Sequence, residues 1–374
     1  MTTQSNSSVQ MAGSPGLWAL AWRRLRADRI AMVALAIVAA YLLLLLLSAC
    51  GVVAADWDRE IAVNYAPPGF IGAQGTDEGG RGMALEPAAA APENPLDPLK
   101  DIIRQLRAEQ GNAPVIDDYG VRDPIGPELQ QLRRELAGKG AGAAKVARLT
   151  TLPFGADKWG HDVIKKTIKG SETSIVVGLV AAFLATLLGT AFGAVAGYFG
   201  GLVDDFFNWF YSIFTAVPNL LLIMAVAAVL QHKGVATIVL ILALTGWTGT
   251  FRLIRAEYMK HKTREYVMAA DAIGASHWRK MFSHIFPNVS HVALVQMSIL
   301  SVGFIKYEVI LSFLGFGVPV GVVSWGSILN EARNELILGK WWQLTAASMA
   351  MALLVTAFSL FTDALRDALD PKLK

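Results

Sequence analysis

The chain carries a single cysteine, Cys50, among 374 residues. That excludes an internal disulfide and any metal site built on several thiolates. Charge is also scarce. Asp, Glu, Lys and Arg make up 17 % of the chain, against about 25 % in an ordinary soluble domain. The formal net charge of +3 is too small to point to nucleic acid. No Gly-x-x-x-x-Gly-Lys-Ser/Thr phosphate loop occurs, so any nucleotide hydrolysis must come from other chains. Gly138-Lys-Gly-Ala-Gly142 lacks that spacing and a preceding strand, and reads as a flexible turn. No internal repeat is visible, which argues against a solenoid.

What the chain has in abundance is apolar sequence, 54 % of residues with a mean hydropathy of +0.43. It is gathered into runs at 30–49, 173–197, 206–230, 235–254, 292–316 and 344–361. At a rise of about 1.5 Å per residue each can cross a bilayer. The expected fold is an all-α membrane protein with six transmembrane helices. Small residues recur in the second run (Gly178, Gly189, Gly193, Gly197), a pattern that lets helix backbones approach closely in lipid. Pro218 lies inside the third run and predicts a kink.

Charge placement orients these spans. Trp18, Trp22, Arg23, Arg24, Arg26 and Arg29 precede the first run and suit a cytoplasmic interface. The loop 255–290 carries Arg255, Lys260, Lys262, Arg264, Arg279 and Lys280, and the C-terminal tail adds Arg366, Lys372 and Lys374. Both termini and loop 255–290 therefore belong on the cytoplasmic side. Only the short loop 198–205, with Asp204 and Asp205, does not contribute. The chain divides into a cytoplasmic tail (1–29), a first transmembrane helix (30–50), an extracytoplasmic insertion (51–169) and a five-helix core (170–374). The insertion has a Gly/Ala/Pro-rich linker at 67–98 and helical periodicity at 96–110 and 128–149. Two competing readings of the first run are a signal peptide, against which its length counts, and a lipoprotein cleavage box at Leu47-Ser-Ala-Cys50, a short pattern easily met by accident.

Within loop 255–290, the stretch from Glu265 to Asn288 reads as helix, tight turn at Gly274, basic amphipathic helix, and a stop at Pro287. An ordered polar loop between two spans is a candidate docking surface; an ordinary solvated loop is the plain alternative. His277, His284 and His291 recur every seventh residue. Seven helical residues advance about 10.5 Å, too far for a pair to share one ion. Lys306 and Glu308 fall inside the fifth span. Intramembrane charges are candidates for a translocation path or a subunit contact, or for a structural pair with a neighbouring helix.

Several motifs together resemble the second permease subunit of dipeptide/oligopeptide ABC importers. Glu265, Ala269, Ala270, Gly274 and Pro287 sit where that family's coupling loop places its pattern. Further matches are Trp22-Arg-Arg-Leu-Arg26, Phe154-Gly-Ala-Asp157, Gly160-His-Asp-Val163, Gly197-Tyr-Phe-Gly-Gly-Leu-Val-Asp204 and Leu311-Ser-Phe-Leu-Gly-Phe-Gly317. Ser324-Trp-Gly326 and Leu365-Arg-Asp-Ala-Leu-Asp-Pro-Lys372 complete the set. The resemblance covers residues 17–50 and 154–374. It departs at His161, where the family usually has Arg, near Glu172, again usually Arg, and in the long stretch 52–152.

The resemblance implies a type I ABC importer permease fold in the bacterial inner membrane. It also implies a second permease subunit, two ATP-binding subunits and an extracytoplasmic substrate-binding protein as partners. The implied substrate is a peptide, carried by alternating access; nickel or another small solute is the alternative within the class. No cofactor, metal or nucleic acid is called for, and the chain itself is not an enzyme. An ion-coupled secondary transporter would need acidic sites within spans, where only Glu308 is available. A membrane-anchored scaffold would draw its purpose from the insertion.

Overall fold

The computed structural model describes residues 17–72, 131, 148–230, 232–319 and 321–369. Residues 1–74 and 150–374 form one compact unit, and residues 75–149 a second. The helices expected at 96–110 and 128–149 lie outside the described residues, apart from Gln131, Arg148 and Leu149, as does the Gly138–Gly142 turn.

The described residues of the first unit form helices and no multi-residue strand. In chain order the helices are α1 (Leu17–Ala27), α2 (Arg29–Ala49), α3 (Val163–Phe199), α4 (Gly201–Thr215), α5 (Asn219–Leu230) and α6 (Val235–Gly246). They continue with α7 (Thr248–Lys262), α8 (Glu265–Ala272), α9 (His277–Phe313), α10 (Trp325–Ile337) and α11 (Trp342–Leu369). Four of them, α2, α3, α9 and α11, are long and apolar enough to cross a membrane. The pairs α4–α5 and α6–α7 are bent by 85° and 42°, and counting each as one span makes six.

Caps explain several starts. The Asp28 carboxylate accepts from Ile30 N at 2.8 Å, and Asp162 does the same for Ile164 N at 2.8 Å. Each satisfies an N–H that the first helical turn leaves without a partner. Ser324 and Ser327 form a reciprocal capping box at the start of α10. The break between α4 and α5 falls at Ala216–Val217–Pro218, where proline has no N–H for a continuing helix. The expected kink is thus a full corner. Pro218 becomes the outer edge of α5, its carbonyl accepting from Leu222 N at 3.0 Å.

Helix α3 is the central post, and α6, α7 and α9 pack along it. Its glycines set how close they come. A Cβ at Gly189 would lie 2.6 Å from Trp247 O, and one at Gly197 2.5 Å from Arg255 O. At both positions backbone meets backbone, the close approach expected of small residues in lipid. Trp247, buried where α6 meets α7, anchors α4 through stacking on Phe210, with ring centroids 5.5 Å apart.

Helix α3 begins at Val163, about three turns before the expected apolar run at 173. The extra turns carry Lys165, Lys166, Lys169 and Glu172, each with an ion partner: Lys165 pairs with Asp56, Lys166 with Asp157 and Glu331, and Lys169 with Glu172. These turns stand at the end of the bundle where residues 52–72 and 150–162 fold back on one another. Ala62 N donates to Gly160 O at 3.1 Å, and Ala156 N to Ala66 O at 2.8 Å. Trp342 fastens this end to α11 by donating from Nε1 to Ala156 O at 2.7 Å.

Candidate functional site

Helix α8 is seated by its inner face. Val267 is buried against Tyr198, Ile254, Tyr258, Met281 and Ile285, and Ala270 is buried on the same helix. The helix ends in a Schellman motif: Gly274 N donates to Asp271 O at 2.8 Å and Ala275 N to Ala270 O at 3.0 Å. Gly274 has φ +79°, and nothing lies within 4 Å of where its Cβ would be. Backbone conformation, not crowding, is what requires glycine there. Ser276 then caps α9 by accepting from Arg279 N at 3.4 Å. An ion pair between Asp271 and Lys280 staples the two helices across the turn. Hydrogen bonding from Lys280 holds the Asp271 carboxyl below the usual carboxylate range. His277 Nδ1 meets Tyr198 Oη at 2.8 Å, fixing the start of α9 to the end of α3.

The loop is therefore rigid, and its outer surface is more apolar than the sequence suggests. Met268 is 55 % exposed, Ile273 84 %, Trp278 63 % and Phe282 51 %. Trp278 and Phe282 stack with centroids 5.5 Å apart, one helical turn from each other. This i, i+4 aromatic pair was present in the sequence but hidden by the basic residues around it.

The five expected coupling residues divide. Glu265, Ala269 and Gly274 are exposed on the outer side. Ala270 faces inward and belongs to the seat of α8, not its docking face. Glu265 sits in the first turn of α8 and makes no capping bond to its own helix. Pro287 does not stop the second helix, contrary to the expectation from sequence. The chain runs through it from His277 to Phe313, because residues Lys280–Ile285 widen into a π-turn. Phe286 N reaches Met281 O, five residues back, and the wider turn accommodates a residue with no N–H to donate. His284 and His291 consequently share one continuous helix.

Lys306 and Glu308 are not brought together. Lys306 is exposed on α9, whereas Glu308 is fully buried and accepts from Ser312 Oγ at 2.7 Å. Residues two apart on a helix face different directions, and these do. Asp204, which the charge count left unexplained, forms a two-pronged pair with Arg255, with Nη2 to Oδ2 at 2.6 Å. The acid is thereby matched by a cation on α7.

At the other end of the bundle lies a buried charge cluster that the sequence did not reveal. Asp157 is fully buried and accepts from Trp159 N at 2.8 Å, His161 N at 2.9 Å and Lys166 Nζ at 2.7 Å. Its second oxygen also meets His161 Nδ1 at 3.0 Å. Burial would raise the Asp157 carboxyl, but Lys166 and the backbone N–H of His161 prevail and hold it below the usual range. Lys166 Nζ also reaches Glu331 Oε2 at 2.6 Å.

Glu335 lies in the same region, 2 % exposed and with neither carboxylate oxygen hydrogen-bonded. Desolvation pushes its carboxyl from 4.5 up to about 7. A raised carboxyl makes the folded state the better proton binder between those values. Stability is then full below about pH 4.5 and falls as pH rises through about 7. Glu335→Gln is expected to raise the Tm of the purified protein at pH 8 and to leave it nearly unchanged at pH 4.5. A variant whose Tm follows the wild type at both pH values would contradict this assignment.

With this geometry in hand, comparison with known proteins decides the family. Residues 189–374 match the binding-protein-dependent transport system inner membrane component, and residues 16–68 match the N-terminal transmembrane domain of oligopeptide transport permease C. The dipeptide transport system permease protein DppC of Bacillus subtilis is 36 % identical over 221 residues, 59 % of this chain and 69 % of the relative. The oligopeptide permease OppC of the same organism is also 36 % identical over 221 residues, 59 % of this chain and 72 % of its own length. The glutathione transport system permease protein GsiD of Salmonella typhimurium is 38 % identical over 221 residues, again 59 % of this chain and 72 % of the relative. The chain belongs to the binding-protein-dependent transport permease family. The permease is thus a multi-pass inner-membrane component of an ABC transporter, and its family role is transport, not catalysis. The buried charge cluster lies between the two family matches, at residues 157–166, and reaches α10.

Proposed function

We propose that the chain forms half of the translocation path of an ATP-driven peptide importer and works by alternating access. In this reading loop 255–290 lies in the cytoplasm, with both chain termini on the same side. Residues 51–169 form the extracytoplasmic insertion and 170–374 the permease core. The partners are a second permease subunit, two ATP-binding subunits that perform hydrolysis, and an extracytoplasmic substrate-binding protein. Relatives named for dipeptides, oligopeptides and glutathione support a peptide substrate.

The observation that carries the reading is the rigid seat of α8 beneath an exposed apolar outer face. A chain with no phosphate loop must receive the work of ATP hydrolysis mechanically. A short helix wedged in a groove on an ATPase passes on motion only if it cannot flex against its own spans. The inner core around Val267, the buried Ala270, the Asp271–Lys280 pair and the Gly274 turn supply that stiffness. Met268, Ala269 and Ile273 supply the surface, and Glu265 is the charge offered to a basic group on the partner. Lys306, exposed at the level of a span, is assigned to the second permease subunit or the path, because an ammonium facing lipid is costly. Glu308 serves the interior of α9.

The test is ATP hydrolysis by the reconstituted complex, with and without substrate-loaded binding protein. Glu265→Lys reverses the outward charge, and Gly274→Trp forces a side chain onto a left-handed residue. Both are expected to abolish at least tenfold of the substrate stimulation while leaving the permease in the membrane. Normal stimulation in either variant would refute the docking role.

A further inference from the structure

A second feature stands beside the coupling loop. The ends of α7 and α11 and the cytoplasmic-loop end of α9 enclose an open cavity of about 620 Å³. Three permanent cations line it, Lys260, Arg264 and Arg366, against the single carboxylate of Glu257. Glu257 is engaged by Lys260 at 2.9 Å. Arg264 and Arg366, both exposed, make no ion pair among the described residues. His291 adds a polar group to the lining.

The cavity changes character along its length. Leu253 lies two turns deeper in α7 than Lys260, and Val292 and Val295 lie on the membrane-ward side of Asn288 in α9. Cations therefore sit at the helix ends, and behind them, toward the middle of the spans, a wall that is apolar except for Gln296. A soluble anion would use only the first part, and an acidic protein surface would leave the apolar wall uncovered. A phosphodiester headgroup with its glycerol and the first acyl carbons matches both parts in order.

We propose that this cavity is a binding site for an anionic phospholipid, with the headgroup held by Arg264, Arg366 and Lys260 and the acyl chains lying against Leu253, Val292 and Val295. The site would tie lipid composition to the root of the coupling loop, since Arg264 immediately precedes α8. The proposal needs only that these three helix ends share one membrane boundary. It holds whatever substrate the permease carries, and its failure would leave the transport reading intact.

The test uses the complete importer complex, delipidated and titrated with phosphatidylglycerol or phosphatidylcholine of matched acyl chains, with bound lipid counted by native mass spectrometry. Phosphatidylglycerol bearing a photoreactive acyl chain locates the site. The expected result is preferential retention of phosphatidylglycerol and labelling of the α9 segment around Val292. In the double variant Arg264→Gln/Arg366→Gln its affinity should fall about 30-fold, the equivalent of about 2 kcal/mol for two cations near a bilayer surface. Phosphatidylcholine binding should not change. Glu257→Gln, which removes the one acid, should tighten phosphatidylglycerol several-fold, and this keeps the test alive if the double variant fails to assemble. Equal retention of both lipids would overturn the proposal, as would unchanged phosphatidylglycerol affinity in both variants. So would binding of glycerol phosphate as tight as that of the lipid, or labelling confined to other segments.

Discussion

Lys166→Met is expected to unfold the end of the bundle where residues 52–72 and 150–162 meet α3. The Lys166 side chain is only 5 % exposed and sits between two carboxylates, Asp157 at 2.7 Å and Glu331 at 2.6 Å. Asp157 is completely buried. Without the ammonium it keeps the N–H groups of Trp159 and His161 but loses its main opposite charge. Breaking a buried pair from one side costs about 3–5 kcal/mol, because the remaining charge is left in low dielectric. That is a large share of the roughly 5–15 kcal/mol that holds a typical domain together. The consequences reach past one ion pair, since Asp157 O also accepts from Tyr65 N at 3.0 Å and Ala156 O from Trp342 Nε1 at 2.7 Å. The variant should show a sharply lower Tm and little protein in the membrane fraction. Lys166→Met combined with Asp157→Asn should recover part of the loss, because the stranded charge is gone. A Lys166→Met protein with wild-type Tm would mean that the cluster contributes nothing to stability.

This cluster also marks the limit of what the sequence makes legible. The spans are readable because their signal is local, a run of apolar residues of the right length. The start of α3 is not, because Lys165, Lys166, Lys169 and Glu172 lower the hydropathy of its first three turns. Lys169 and Glu172 pair locally, but Asp56, the partner of Lys165, and Glu331, one of the two partners of Lys166, lie more than a hundred residues away on either side. Lysines that look like solvated loop are instead neutralised helix. Proline misled in both directions. Pro218 breaks its run into two helices at 85°, more than a kink, while Pro287 leaves α9 continuous because a π-turn precedes it. Whether a proline bends or stops a helix depends on how the preceding turn adjusts, and no single residue encodes that. Residues 265–288 are legible as helix, turn and helix, since Gly274 and Ser276 announce the boundaries. Which alanine faces out is not, because it depends on a core to which Tyr198 of the sequence-distant α3 contributes along with Tyr258 of α7 and Met281 and Ile285 of α9.

Ile273→Glu is expected to leave the permease folded and inserted yet sharply weaken its hold on the ATP-binding subunit. Ile273 is 84 % exposed at the very end of α8, so a charged side chain there disturbs no internal packing. Around it, Met268, Trp278 and Phe282 make an apolar surface that a soluble loop has no reason to present. Central apolar anchors of an interface commonly carry about 2 kcal/mol or more each, so affinity should fall about 30-fold. Placing a carboxylate in the partner's groove adds the cost of desolvating it. Co-purification of the ATP-binding subunit reads the first effect, and an unchanged Tm of the isolated permease shows that the fold is intact. The measurement that tests the account most directly is cross-linking from this same position. With Cys50→Ser removing the only native thiol, Ile273→Cys gives one reporter in the chain. It should cross-link to the ATP-binding subunit and resist a membrane-impermeant maleimide added to intact cells. Labelling from outside, or cross-linking to the substrate-binding protein instead, would place the loop on the wrong face of the membrane and contradict the account.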